Sequence, residues 1–341
     1  MVRVSCPDEN ILVAFATARA SEDTRTSVIA HLDGCSTCRR LVAALARGRK
    51  VQTDAKASER SLRVAETLLA PSAIIDGRFR LERFLGSGAT SQVWGAIDVS
   101  GRRFALKFMR GEAPTVRQRM MREAQIAMRL IHPGIVRVHS VHESEHGLYI
   151  VLDWVDGISL EKHLEDGLLP TRTALHLVAD LSDALAFAHE NGIVHRDLKP
   201  ANLMVKPADY QRLSVVLLDL GVAKPMDGGT KLTATGASVG TPHFMAPEQL
   251  FGEPNVDGRA DVWALGVLLF GLLTGRLPIE GSRIGEVYKA VVRQQKADLG
   301  AIVPTLPDEL AQLYRDMTHF DRAARLGDLK QAAATLRRHA K

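Results

Sequence analysis

The segment His195-Arg196-Asp197-Leu198-Lys199-Pro200-Ala201-Asn202 decides the reading of this chain, because one short loop supplies an acid, a cation and a carboxamide. Asp197 can accept or orient a hydroxyl proton, Lys199 can neutralise a phosphate in transit, and Asn202 can ligate a metal ion. These are the requirements for moving a γ-phosphoryl group. Upstream, Gly86-Ser87-Gly88-Ala89-Thr90-Ser91-Gln92-Val93 forms a glycine-rich stretch, followed by Phe104-Ala105-Leu106-Lys107-Phe108, whose pattern predicts a strand carrying one cation. Downstream, the apolar run 215–218 leads into Asp219-Leu220-Gly221. By itself the glycine stretch is equally well explained as an ordinary hairpin.

HRDLKPAN resembles the catalytic loop of the eukaryotic-type (Hanks-type) serine/threonine protein kinases of bacteria, and the other motifs follow in that family's order from residue 79 onward. The resemblance implies an α+β, bilobal protein-kinase fold with a β-rich N-lobe and a helical C-lobe. It also implies a role for each matching residue. Leu85 and residues 86–93 (Gly86, Ser87, Gly88, Ala89, Thr90, Ser91, Gln92 and Val93) close over ATP, Ser91 standing where the family has its third glycine. Lys107, in Ala105-Leu106-Lys107, grips the α- and β-phosphates, and Glu123, on a helical pattern, pairs with it. Leu152 is the gatekeeper beside the adenine, Ala105 lines the same site, and the backbones of Asp153 and Val155 bond the base. Asn202 and Asp219 hold Mg²⁺ or Mn²⁺, Leu220 replacing the family's Phe.

Ala246-Pro247-Glu248 resembles the family's A-P-E motif, and Arg325 resembles the late arginine that buries an ion pair with that glutamate. Asp261 resembles the aspartate that braces the catalytic loop. Lys199 and Gly240-Thr241-Pro242 favour serine/threonine specificity, and Arg196 marks a kinase that responds to phosphate on its activation loop. Among Thr230, Thr233, Thr235, Ser238 and Thr241, the expected autophosphorylation sites are Thr233 and Thr235. The competing reading is a pseudokinase scaffold. Lys107, Glu123, Asp197, Asn202 and Asp219 are all present, which argues for transfer.

All three cysteines, Cys6, Cys35 and Cys38, lie in the first 38 residues, with His31 among them. The spacing C-x24-H-x3-C-x2-C brings four candidate ligands together, and a C-x2-C pair can pinch one metal. A redox pair and an unrelated buried Cys6 are the alternatives. The pattern resembles the zinc-binding domain of anti-sigma factors, which implies Zn²⁺ held by Cys6, His31, Cys35 and Cys38. Apolar spacing predicts three helices here, around Ile11 and Phe15, Val28 and Leu32, and Leu41 and Leu45, with Ser21 capping the second. The expected organisation is a helical zinc-binding module at 1–49, a polar linker at 50–76 with a weak helix over 58–69, and a kinase domain at 77–338.

The 341 residues are 46% hydrophobic, enough for a sizeable core, and carry a net charge of +5. Lys and Arg are dispersed, so no nucleic-acid surface is expected. Pro7, Asp8 and Glu9 interrupt any signal-peptide pattern, and the apolar run 262–274 is too short to span a bilayer. The expectation is a cytoplasmic kinase acting on protein substrates, with a regulatory protein bound by the zinc module. His132 and His139 are given no role and are expected at the surface or in lobe packing rather than as ligands.

Overall fold

Residues 103–109 alternate large apolar and other side chains, and the alternation builds a half-buried strand. In the computed structural model, Phe104, Leu106 and Phe108 are buried in a core while Ala105 and Lys107 point to the opposite face. The structure describes residues 7, 11, 15, 21–34, 38, 42, 69–88, 91–109, 114–209, 212–219 and 242–341. Cys6, Cys35, Ala89, Thr90, Leu220, Gly221, Thr233, Thr235 and Thr241 lie outside the described residues, as does nearly all of the expected 58–69 helix.

The chain divides into two units, one made of residues 55–224 with 327–341 and the other of residues 1–54 with 225–326. The first contains a six-stranded sheet in the order β1-β2-β3-β4-β6-β5, each neighbouring pair antiparallel. Its strands are β1 (Ile74–Ile75), β2 (Phe79–Ser87), β3 (Ser91–Asp98), β4 (Arg103–Met109), β5 (Val138–Ser144) and β6 (Gly147–Asp153). Leu69, Ile75, Phe79, Leu81, Trp94, Phe104, Phe108 and Tyr149 form its core. The sheet therefore begins at Ile74, ahead of the expected domain start at 77. A two-residue strand shows no alternation, and only its pairing with Phe79 and Arg80 reveals it.

Helix α1 (Glu22–Gly34) belongs to the second unit, while α2 (Pro114–Ala127) follows β4 and carries Glu123. After β6 come β7 (Ile158–Ser159), α3 (Leu160–Glu165) and α4 (Thr171–Glu190). The Ser159 hydroxyl caps α3 by accepting from the Lys162 N–H. Strands β8 (Leu203–Asp209) and β9 (Arg212–Leu217) join β7 in a three-stranded sheet. Helix α4 presents an apolar stripe of Leu175, Val178, Leu181 and Leu185, all buried.

The second unit holds α5 (Pro247–Leu250), α6 (Arg259–Thr274), α7 (Ile284–Val292), α8 (Leu299–Ile302) and α9 (Asp308–Met317). Helix α6 is the expected apolar run and is buried almost all round. Gly266 has a steric reason: a Cβ there would stand 2.6 Å from Thr318 Cγ2 and 3.0 Å from Met317 Cβ, so the end of α9 occupies the space. The last helix, α10 (Leu329–His339), returns to the first unit, where Asp328 caps it and Arg337 bonds Asp180 and Asp183 of α4 at 2.9 and 2.6 Å.

At the N-terminus, Ile11 and Phe15 are helical, Ser21 caps α1 through the Thr24 N–H, and Cys38 and Val42 are helical. Val28 and Cys38 bury against Tyr288 of α7, with Phe15, Leu32, Val42, Phe251 and Val292 packed around them.

Candidate active site

The alternation that sends Phe104, Leu106 and Phe108 into the core places Ala105 and Lys107 on the other face of the sheet. Register extends this face: Val93 pairs with Lys107, and Ala105 pairs with Leu152. Lys107, only 8% exposed, makes an ion pair with the Asp219 carboxylate. Glu123 stands half-buried on α2. The hairpin of β2 and β3 is held at its neck by a bond from the Gly88 N–H to the Ser91 carbonyl at 2.8 Å. A Cβ at Gly86 would meet nothing within 4 Å, so the space beside that residue is open. Ser91, the departure from the family's glycine, is buried at the start of β3, beside a Gln92 that accepts from the Trp94 indole. Leu85 is exposed, while Leu152, Asp153 and Val155 are half-buried where β6 ends.

The loop preceding β8 is built around Asp197. Lys199 Nζ lies 3.3 Å from Asp197 Oδ2. Asn202 Nδ2 donates to the Asp197 carbonyl at 2.8 Å and to Oδ2 at 3.0 Å. Two acceptors on one side fix the amide's orientation and leave its carbonyl oxygen as a ligand for a cation. His195 is fully buried and carries out a task absent from the sequence reading. Its Nδ1 accepts from the Asp197 N–H at 3.2 Å, and its Nε2–H donates to the Leu218 carbonyl at 2.8 Å. One imidazole thus ties the loop to the residue before Asp219. A further bond, from the Leu218 N–H to the Asn202 carbonyl at 2.9 Å, completes the tie.

Two residues here adopt left-handed backbone conformations without being glycine: Arg196 at φ +63° and Asp219 at φ +54°. Such positions cost about 1–3 kcal/mol each and persist where surrounding contacts over-determine them. The His195 bonds and the Lys107 ion pair are contacts of that kind. The arrangement gathers Lys107, Asp197, Lys199, Asn202 and Asp219 within one unit, two cations among two carboxylates and an amide. This set suits a polyanion with a divalent cation: lysines for phosphate oxygens, Asp219 and the Asn202 carbonyl for the hard metal ion.

In the second unit, Glu248 and Arg325 meet as expected. The guanidinium donates to Glu248 Oε1 at 2.7 Å and Oε2 at 3.0 Å, with both side chains essentially buried. Asp261 is buried in the first turn of α6. Of the expected zinc ligands, His31 and Cys38 are described. Among the described residues no three metal-type side chains cluster.

The protein kinase domain profile matches residues 79–339, so the chain belongs to the protein kinase family. Its relatives include serine/threonine-protein kinases of bacteria. It is 37% identical over 258 residues to the serine/threonine-protein kinase PknB of Mycobacterium tuberculosis, covering 69% of this chain and 40% of that protein. It is 38% identical over 222 residues to the serine/threonine-protein kinase pkn2 of Myxococcus xanthus, covering 63% and 26%. The crystal structure of the Mycobacterium tuberculosis PknI kinase domain superposes with a TM-score of 0.62 at 29% identity, over 80% of this chain and all of that one. The fold is thus the protein-kinase fold, a curled β-sheet lobe and a helical lobe. The chain spans 40% or less of these curated relatives, and the match leaves residues 1–78 outside. Among the described residues no helix is long and apolar enough to cross a membrane.

Proposed function

We propose that the chain is an ATP- and Mg²⁺-dependent (or Mn²⁺-dependent) serine/threonine protein kinase of bacterial signalling that phosphorylates protein hydroxyls and its own activation loop. The observation carrying this reading is the joining of Asp197, Lys199 and Asn202 to Asp219 and Lys107 through His195. Bound ATP with its metal would supply the transferable phosphoryl group and an electrophilic phosphorus. The chain's residues do the rest. Asp197 orients and receives the proton of the acceptor hydroxyl, Lys199 neutralises charge beside it, and Asn202 and Asp219 hold the cation. Lys107, positioned by Glu123, fixes the phosphates beneath residues 85–93, and the base lies by Ala105 and Leu152 against the backbones of Asp153 and Val155.

Incubating the full chain with ATP, Mg²⁺ and a general protein acceptor, followed by phosphopeptide mass spectrometry, tests the reading. Phosphate is expected on the acceptor and on Thr233 or Thr235; nucleotide binding with no phosphate transferred would favour the pseudokinase.

The same reading assigns residues 1–49 to a zinc-binding module that binds a regulatory protein, joined by a linker from residue 50 to a kinase domain that takes in Leu69 and β1 at its start. Support comes from His31, whose Nε2 is buried with no hydrogen-bond partner among the described residues and so is open to a metal. Cys38, buried beside Val28, is the second described member, with Cys6 and Cys35 completing a three-sulfur, one-nitrogen set. The packing of Val28 and Cys38 on Tyr288 supports a regulatory task, since whatever moves the module also uncovers α7. A cytoplasmic setting, where ATP is supplied and thiolates stay reduced, goes with this assignment. Metal analysis of the purified chain is expected to find about one zinc per chain, lost in Cys35→Ser; metal-free protein would end the zinc reading.

A further inference from the structure

Trp154 stands between Asp153 and Val155, the two residues whose backbones are assigned to the base, and its ring has a seat built by three strands. One row of cross-strand partners runs Arg83, Gly95, Ala105 and Leu152, on β2, β3, β4 and β6. The inner end of this row is Ala105 and Leu152, and the indole covers its outer end. The Arg83 guanidinium lies 5.1 Å from the ring centroid, and that of Arg103, from β4, lies 5.2 Å away. A Cβ on Gly95 would come within 3.1 Å of the ring carbon Cζ3, so the glycine provides the floor of the seat.

The polar edge is also held. Trp154 Nε1–H donates to Asp156 Oδ1 at 2.8 Å, and Arg103 pairs with the same carboxylate oxygen at 3.1 Å. On the other side, Asp153 Oδ1 receives Arg102 at 2.9 Å and His139 Nε2 at 2.6 Å, and the Asp153 N–H donates to the Arg137 carbonyl at 2.9 Å.

We propose that Trp154, clamped by Arg83 and Arg103 over Gly95, is a positioning residue that fixes the backbone of 153–155 for the nucleotide base and so sets affinity for the adenosine part of ATP. A backbone donor or acceptor held in place before the ligand arrives spares the ordering cost on binding. Each cation–π contact is individually modest at a partly exposed site. Together with the Asp153 and Asp156 bonds they act on three consecutive peptide units. The phosphates, held by Lys107 and by the cation on Asn202 and Asp219, do not depend on this clamp.

The inference rests on the kinase reading, and its test separates the two because it reads binding without turnover. Titration calorimetry of the full chain with Mg²⁺-ATP and with Mg²⁺-tripolyphosphate compares ligands with and without the base. In Trp154→Ala, ATP is expected to bind about tenfold more weakly while tripolyphosphate binds as in wild type. Trp154→Phe, which keeps a ring between the guanidiniums, is expected to restore ATP affinity to within about twofold, and Arg83→Gln with Arg103→Gln to lose it by about fivefold. If Trp154→Ala fails to fold, the arginine pair, which leaves the indole in place, decides. ATP affinity unchanged in the variants, or equal loss for tripolyphosphate, would overturn the clamp. Wild type that bound ATP with this pattern yet transferred no phosphate would sink only the kinase reading; wild type that bound no ATP would overturn both.

Discussion

Asp197→Asn is expected to slow phosphoryl transfer by about 10²–10⁴-fold, the usual contribution of a positioned acid or base, while the protein stays folded and binds ATP as before. The environment explains why the loss is confined to chemistry. Asn202 donates to Asp197 Oδ2, and an asparagine oxygen at that place can still accept the bond. The Asp197 backbone, held by His195 Nδ1 and by Asn202 Nδ2, is untouched by the substitution. What disappears is the negative charge 3.3 Å from Lys199 and the capacity to take a proton. Initial rates with labelled ATP, beside a thermal melt and an ATP titration, measure all three quantities. A variant retaining more than about a tenth of wild-type transfer would remove Asp197 from its assigned role.

Glu248→Ala is expected to cost about 3–5 kcal/mol of stability, with activity lost only as the folded fraction falls. Arg325 is buried and spends its donors on both Glu248 oxygens, the Arg259 carbonyl at 2.8 Å and the His319 carbonyl at 3.0 Å. Its guanidinium also lies 5.2 Å from the centroid of the Trp263 ring. Removing the carboxylate leaves a charge that can neither reach water nor give up its proton. The control is Arg276 with Glu280, an exposed i, i+4 pair with side chains 59% and 68% accessible, where Glu280→Ala is expected to change stability by less than about 1 kcal/mol. Urea melts of the two variants make the comparison. Equal, small effects would mean that water reaches the Glu248 site.

The loop 195–202, the lysine strand, the Glu248–Arg325 pair and the buried apolar run 262–274 are all legible in the sequence, because each is written in local pattern or in an ordered series of motifs. The contact of Lys107 with Asp219 is not, since it joins residues 112 apart and belongs to no single motif. The task of His195 is invisible in the sequence, because its two bonds depend on where the loop meets the end of β9. The bond of His139 to Asp153 is hidden as well; nothing in a sequence says which side chains face each other across β5 and β6 until the register is known. Trp154 is a similar case, as its seat is assembled from three strands. The packing of Val28 and Cys38 on Tyr288 was equally hidden, because helical spacing shows that a face is apolar without showing what covers it.

The division of the chain has a consequence for its birth on the ribosome. Neither unit comes from one uninterrupted stretch: each begins, is left open while the other's residues are made, and closes later. Glu248 waits for Arg325, and the acidic pair on α4 waits for Arg337, the latter across more than 150 positions of chain. Contacts so distant in sequence slow folding and leave apolar surface uncovered meanwhile. A nascent chain halted just short of residue 325 would hold a lone buried carboxylate and an α4 lacking its last helix, and would present itself to chaperones rather than to substrates.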